Sequence, residues 1–66
     1  MRLSYDKVAD AAMIYLGDEP ISPTRQEVAD VELQDAAIVF DFDSDERLVA
    51  IEIMGASRVL PRQLIR

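Results

Sequence analysis

The sequence predicts a mainly β protein: one small antiparallel sheet of about five strands closed by a short C-terminal helical turn, with an α+β arrangement as the variant. Three observations predict it. Ala36–Met54 alternates with period two on both sides of an Asp-rich turn. Gly17, Pro20, Pro23, Gly55 and Pro61 cut the rest into pieces too short for long helices. The 66 residues hold no repeat, low-complexity tract or linker, so residues 1–66 form a single domain.

The first strand is short. Leu3 and Tyr5 alternate with Arg2, Ser4 and Asp6, and Asp6 ends the strand and opens a turn. Residues 6–17 support two readings. In a helix, Asp6 is the cap, Val8, Ala11, Ala12 and Tyr15 share a face, and Gly17 is the stop. In a strand, Ala12–Leu16 places Met13 and Tyr15 opposite Ala12, Ile14 and Leu16. Ala favours the first and Ile and Tyr the second, so the pattern leaves both open.

Gly17–Pro23 reads as a loop, and Thr24–Val28 as an edge strand, because polar residues fill both of its faces. Asp30–Asp35 is an acidic connection with room for a helical turn. The hairpin follows. With Phe42 opposite Arg47, Phe40 meets Val49, Ile38 meets Ile51 and Ala36 meets Ile53, which gathers the bulky apolar residues on one face. The other face, with Val39, Leu48, Ala50 and Met54, is also apolar, so both faces call for cover from the chain or from another copy. Gly55–Ser57 breaks the strand, Arg58–Leu60 reads as a short extension, and Pro61 starts a terminal helical turn through Gln63, Leu64 and Ile65.

Composition removes whole classes of chemistry. With no Cys and no His there is no zinc finger, thiol nucleophile, haem ligand or Ser-His-Asp triad. Charge appears at once in Arg2 and Asp6, and the longest apolar run, Ala11–Leu16, is far too short to span a bilayer. A soluble cytoplasmic protein without membrane contact is expected. Thirteen acidic against seven basic residues give a net charge of −6, which repels a phosphate backbone and suits a basic protein partner. A chain this small, without disulfide or metal, buries little core, so a homodimer or another protein partner is expected.

Several stretches resemble a known family: Leu3-Ser4-Tyr5-Asp6 with Ala9-Asp10-Ala11, then Asp41-Phe42-Asp43, and Arg47–Ile53 with Ala56-Ser57. Together they resemble the small prokaryotic family catalogued as Domain of Unknown Function 2283, over nearly the whole chain apart from a longer segment at residues 29–35. The resemblance implies a β-rich domain in which Met13–Leu16 is a strand, and it carries no catalytic residues. It also points to an antitoxin-like role, through members encoded beside small toxin-like proteins. One departure stands out: Glu46 occupies the hairpin-turn position where the family usually has Gly. If that turn needs a left-handed residue, Glu46 costs about 1 kcal/mol relative to Gly.

Four constellations invite chemistry. Asp41, Asp43, Asp45 and Glu52 fit calcium-loop spacing, and that turn is the alternative functional reading, a divalent-cation-binding domain. Against it, Glu46 sits where the loop needs Gly, and a straight strand carries Glu52 away from Asp43. The expectation is an Asp-rich β-turn, with Asp41 and Glu52 facing solvent or a basic side chain. Asp6 and Asp10 are a carboxylate pair, more simply read as turn caps. Tyr5, Tyr15, Phe40 and Phe42 at strand spacing belong to core or interface. Arg58, Arg62 and Arg66 make a basic tail that could dock on a neighbour's acidic turn, more simply read as a solvated, partly frayed terminus. None of these amounts to a catalytic, cofactor or metal site, so the expected function is a non-catalytic, acidic, antitoxin-like interaction module that binds a small basic protein.

Overall fold

The computed structural model describes residues 1–19 and 22–65. Pro20 and Ile21, inside the expected loop, and Arg66, the last cation of the expected tail, lie outside the described residues. Five strands follow in chain order: β1 (Arg2–Asp6), β2 (Ala11–Tyr15), β3 (Arg25–Val28), β4 (Ala37–Phe42) and β5 (Leu48–Met54). A 3-10 turn at Ala56–Arg58 and the short helix α1 (Arg62–Ile65) complete the chain. The strands make one sheet in the order β1-β2-β5-β4-β3, with every neighbour antiparallel.

The segment that supported two readings is a strand. Its Ala12 is 3% exposed, because β2 lies between β1 and β5 and the 3-10 turn packs Ala56 against it. Small side chains at 12 and 56 permit that close approach, and the tertiary demand overrides the helical preference of Ala.

Strand register sorts the side chains onto two faces. One carries Leu3, Ile14, Ile51 and Phe40 in one row and Tyr5, Ala12, Ile53 and Ile38 in the next. Val59 and Leu60, following the 3-10 turn, pack with these rows around Ala12, Ile53 and Ala56. The other face carries Met13, Glu52, Val39 and Val28 in one row and Tyr15, Ala50, Asp41 and Gln26 in the next.

The hairpin is as expected in its faces and differs in its register. Phe40 lies opposite Ile51 and Ile38 opposite Ile53, two residues along from the expected partners Val49 and Ile51. Ala36, expected opposite Ile53, precedes β4. The turn explains the difference. Asp43 and Arg47 are joined by Asp43 N–H donating to the Arg47 carbonyl at 2.9 Å, and Glu46 N–H donates back to the Asp43 carbonyl at 3.0 Å. Glu46 itself has φ 64°. This is a type I turn followed by a left-handed residue, a three-residue hairpin loop. Alone it would slip the register by one and turn the apolar residues outward. An irregularity beyond Asp41/Phe42 leaves Val49 as an extra residue between the partners of Phe42 and Asp41, and so restores the faces.

Three smaller differences have local causes. Asp30–Asp35 forms no helix, only a turn at Gln34–Asp35, where Asp35 takes φ 54°. Arg58–Leu60 is not a strand extension: Arg58 N–H bonds to the Gly55 carbonyl and Leu60 N–H to the Ala56 carbonyl, both at 2.9 Å, so the chain coils back over the sheet. Gly55 makes that reversal with φ 70°, and a Cβ there would lie 2.4 Å from the Asp35 carbonyl oxygen. The helical turn after Pro61 is present as α1, with Leu64 N–H donating to the Pro61 carbonyl at 3.0 Å.

Candidate functional site

Asp6 and Asp10, adjacent to the β1–β2 turn, are both bound by the protein itself. Asp6 Oδ1 accepts the N–H groups of Val8 at 3.0 Å and Ala9 at 3.2 Å, which caps the turn. Asp10 reaches across the chain. Its Oδ1 accepts the Tyr5 hydroxyl at 2.7 Å and the Ser57 N–H at 2.9 Å; its Oδ2 accepts the Ser57 hydroxyl at 2.7 Å. Its own carbonyl accepts the Ala56 N–H at 2.9 Å. Asp10 itself adopts φ 52°, a left-handed conformation that Asp tolerates better than most residues.

The electrostatics follow from these bonds. The Ser57 hydroxyl first, then the Tyr5 hydroxyl and the Ser57 N–H, hold the Asp10 carboxyl below its ordinary value, with the Arg58 charge adding to them. The same bond to Asp10 raises the Tyr5 phenol. Asp10 is therefore an anion with its lone pairs engaged, and Tyr5 a bound donor. The set is a latch joining the β1–β2 turn to the start of the C-terminal segment. It offers neither a free base nor an activated hydroxyl, since Ser57 donates to a carboxylate with no imidazole beside it.

The Asp-rich turn separates its carboxylates. Asp43 Oδ1 accepts the N–H of Asp45 at 2.8 Å and of Arg47 at 3.0 Å, so it closes its own turn. Asp41 is 2% exposed, which corrects the expectation that it faces solvent or a cation. It lies on the sheet face beside Glu52, and Gln26 bridges the two, its Nε2 donating to Asp41 Oδ1 at 2.8 Å and Glu52 Oε2 at 2.7 Å. The Asp41 carboxylate beside it, then burial, raise the Glu52 carboxyl above its ordinary value, and the Gln26 bond partly offsets this. Asp41 with Glu52 and Asp43 with its loop thus form two separate arrangements. Among the described residues, no group of three or more such side chains converges as a metal would require.

A further group of charges lies at the hairpin end. Arg25 pairs with Glu46 at 2.9 Å and Glu27 at 3.1 Å, and its guanidinium lies 4.3 Å from the centre of the Phe42 ring. The Glu46 bond raises the Arg25 pKa further. Arg2 stacks over Tyr15 at 5.0 Å. Thus Tyr5 serves the latch, Phe42 and Tyr15 carry cations, and Phe40 is a partly exposed member of the apolar face. Arg58 and Arg62 line an open groove of about 540 Å³ with Ser57 and Ile65. A smaller depression of about 180 Å³ lies over Met13, Glu52 and Met54 on the opposite face.

Two residues central to this geometry were not singled out for chemistry by sequence reasoning. Gln26 read only as an edge-strand alternation, because its partners lie 15 and 26 residues away. Ser57 read only as part of a strand break and of the family resemblance, and its partner Asp10 is 47 residues distant.

These features define a class: a small, single-sheet, all-antiparallel β domain whose conspicuous carboxylates secure turns and strands. The chain belongs to the family described as "Protein of unknown function (DUF2283)", which matches residues 2–57. The match includes Tyr5, Asp10 and Ser57 and the whole hairpin, and stops short of α1. No curated protein and no solved structure matches the chain. Among the described residues, no helix is long and apolar enough to cross a membrane.

Proposed function

We propose that the chain is a non-catalytic interaction module that binds a small basic protein in an antitoxin-like manner. One observation carries the reading: β3 is the last strand of the sheet, and its outer side pairs with no other described strand. Such an edge accepts a further strand through main-chain hydrogen bonds. Val28, 69% exposed, offers that strand an apolar contact. Directly after β3, the exposed carboxylates of Asp30, Glu32 and Asp35 supply negative charge beside the edge. With a net charge of −6, the whole molecule attracts a cationic partner and steers its approach. The occupied state of Asp6, Asp10, Asp41 and Asp43 supports a role in binding over a role in catalysis.

The test is affinity purification of the tagged chain from its own host at physiological salt, followed by amide exchange on the complex. The reading expects a small basic protein, with slowed exchange at Arg25–Val28. Recovery of no protein, or slowed exchange confined to β1 and β2, removes it.

A further inference from the structure

The Leu3–Tyr5 face of the sheet is covered at one end only. Val59, Leu60 and the 3-10 turn pack over the rows containing Tyr5, Ala12, Ile53 and Ile38. Ile14 and Ile51 border that cluster, and beyond them alternation and register place Leu16, Phe40, Phe42 and Val49 on the same face; all six stay partly exposed. No described helix or strand forms a second layer across them. Only two described strand residues of this face carry charge, Arg25 and Glu27, and they pair at 3.1 Å on the outermost strand, where Arg25 also binds Glu46 of the hairpin turn at 2.9 Å.

We propose that this face is the interface of a homodimer, in which two copies pack sheet on sheet. Area supports a second copy as the occupant. The chain exposes 4998 Å², whereas a compact monomer of 7.4 kDa exposes about 4,200 Å². The excess, about 800 Å², equals one partner's share of a standard interface. The two longer dimensions of the molecule, 32 and 25 Å, frame a face of that order, and the third is only 17 Å. A second sheet stacks at about 10 Å, so pairing would complete a sandwich that one copy leaves half built.

Charge selects the same occupant. A basic partner would gain little from a face whose one strand carboxylate, Glu27, already meets a guanidinium, whereas the opposite face holds Asp6, Asp41 and Glu52. A second copy presents a surface equally apolar and equally poor in charge, so pairing here limits the self-repulsion of a −6 chain. This inference goes beyond the edge-strand reading above and uses a different surface; a monomer would leave β3 as available as before.

Sedimentation equilibrium at micromolar concentration tests it. The wild-type chain should have twice the 7.4 kDa monomer mass, and a monomer overturns the proposal. Phe40→Lys should weaken the dimer at least tenfold, while Met54→Lys, on the opposite face, should leave it unchanged. Persistence of the dimer in a folded Phe40→Lys variant also overturns it. Should that variant not fold, the Cys-free background supplies a second readout. Val49→Cys should cross-link into a covalent dimer under mild oxidation, and Val28→Cys should not. The reverse pattern, or no cross-link at either position, rejects the interface.

Discussion

Gly55→Ala is the sharpest perturbation of this fold, and Gly17→Ala is its internal control. Gly55 has φ 70°, where an added Cβ would lie 2.4 Å from the Asp35 carbonyl oxygen and 3.1 Å from both Cα and Cβ of Ala36. The left-handed conformation alone costs about 1 kcal/mol for a residue with a side chain. Forcing an atom into a packed site adds about 1–3 kcal/mol, and here the obstructing atoms are mostly backbone that cannot rotate away. The expected loss is about 2–4 kcal/mol, against a total stability of about 3–10 kcal/mol for a chain of 66 residues. For a domain of this size that lowers Tm by roughly 10–30 °C. Gly17→Ala places its Cβ 4.0 Å from the nearest atom, the Glu19 carbonyl oxygen. That change should be neutral or gain up to about 1 kcal/mol by restricting the unfolded chain. Thermal unfolding followed by circular dichroism reads both variants. A Gly55→Ala variant within a few degrees of wild type would show that the chain reversal over the sheet is wrongly described.

Other expectations are as definite. Glu46→Gly should raise stability by about 1 kcal/mol in denaturant titration, because Glu46 holds φ 64° at the hairpin turn; loss of its exposed pair with Arg25 limits the gain, and a clear decrease would assign the turn to the ion pair. Asp10→Asn should lower stability at neutral pH and loosen the C-terminal segment, read as faster amide exchange at Ala56 and Ser57. Because its folded pKa is depressed, the Asp10 contribution is present above the ordinary value of 3.8 and is lost as pH falls through the lower folded value. Glu52 has the opposite sign: with a raised folded pKa, its contribution is full below 4.5 and is lost as pH rises through the folded value. Glu52→Gln should therefore stabilise the protein above that window and lose its advantage below it, in melting curves taken across the acid range.

The extent to which this fold was legible in the sequence follows the range of the interactions involved. The two faces of Ala36–Met54 were readable because alternation is local, and the edge character of Arg25–Val28 was readable from its polar residues. The hairpin register was not, since a left-handed Glu46 and the extra Val49 each move it by one residue and neither has the usual glycine signal. Ala12 misled in the same way: its helical propensity is intrinsic, while the packing of Ala56 against it is tertiary. At the candidate site, Asp6 as a turn cap is a local inference and was accessible. The Asp10–Ser57 latch and the burial of Asp41 beside Glu52 and Gln26 depend on contacts that only the assembled sheet creates.

The central claim is that the conspicuous carboxylates of this chain are engaged within the fold and do not gather round a cation. Carboxyl-carbon NMR through an acid titration, without and with millimolar calcium, tests it most directly. The account predicts Asp10 titrating below 3.8 and Glu52 above 4.5, with Asp41, Asp43 and Asp45 unmoved by calcium. Ordinary titration of both Asp10 and Glu52, or a saturable calcium shift at the three turn carboxylates, would contradict it.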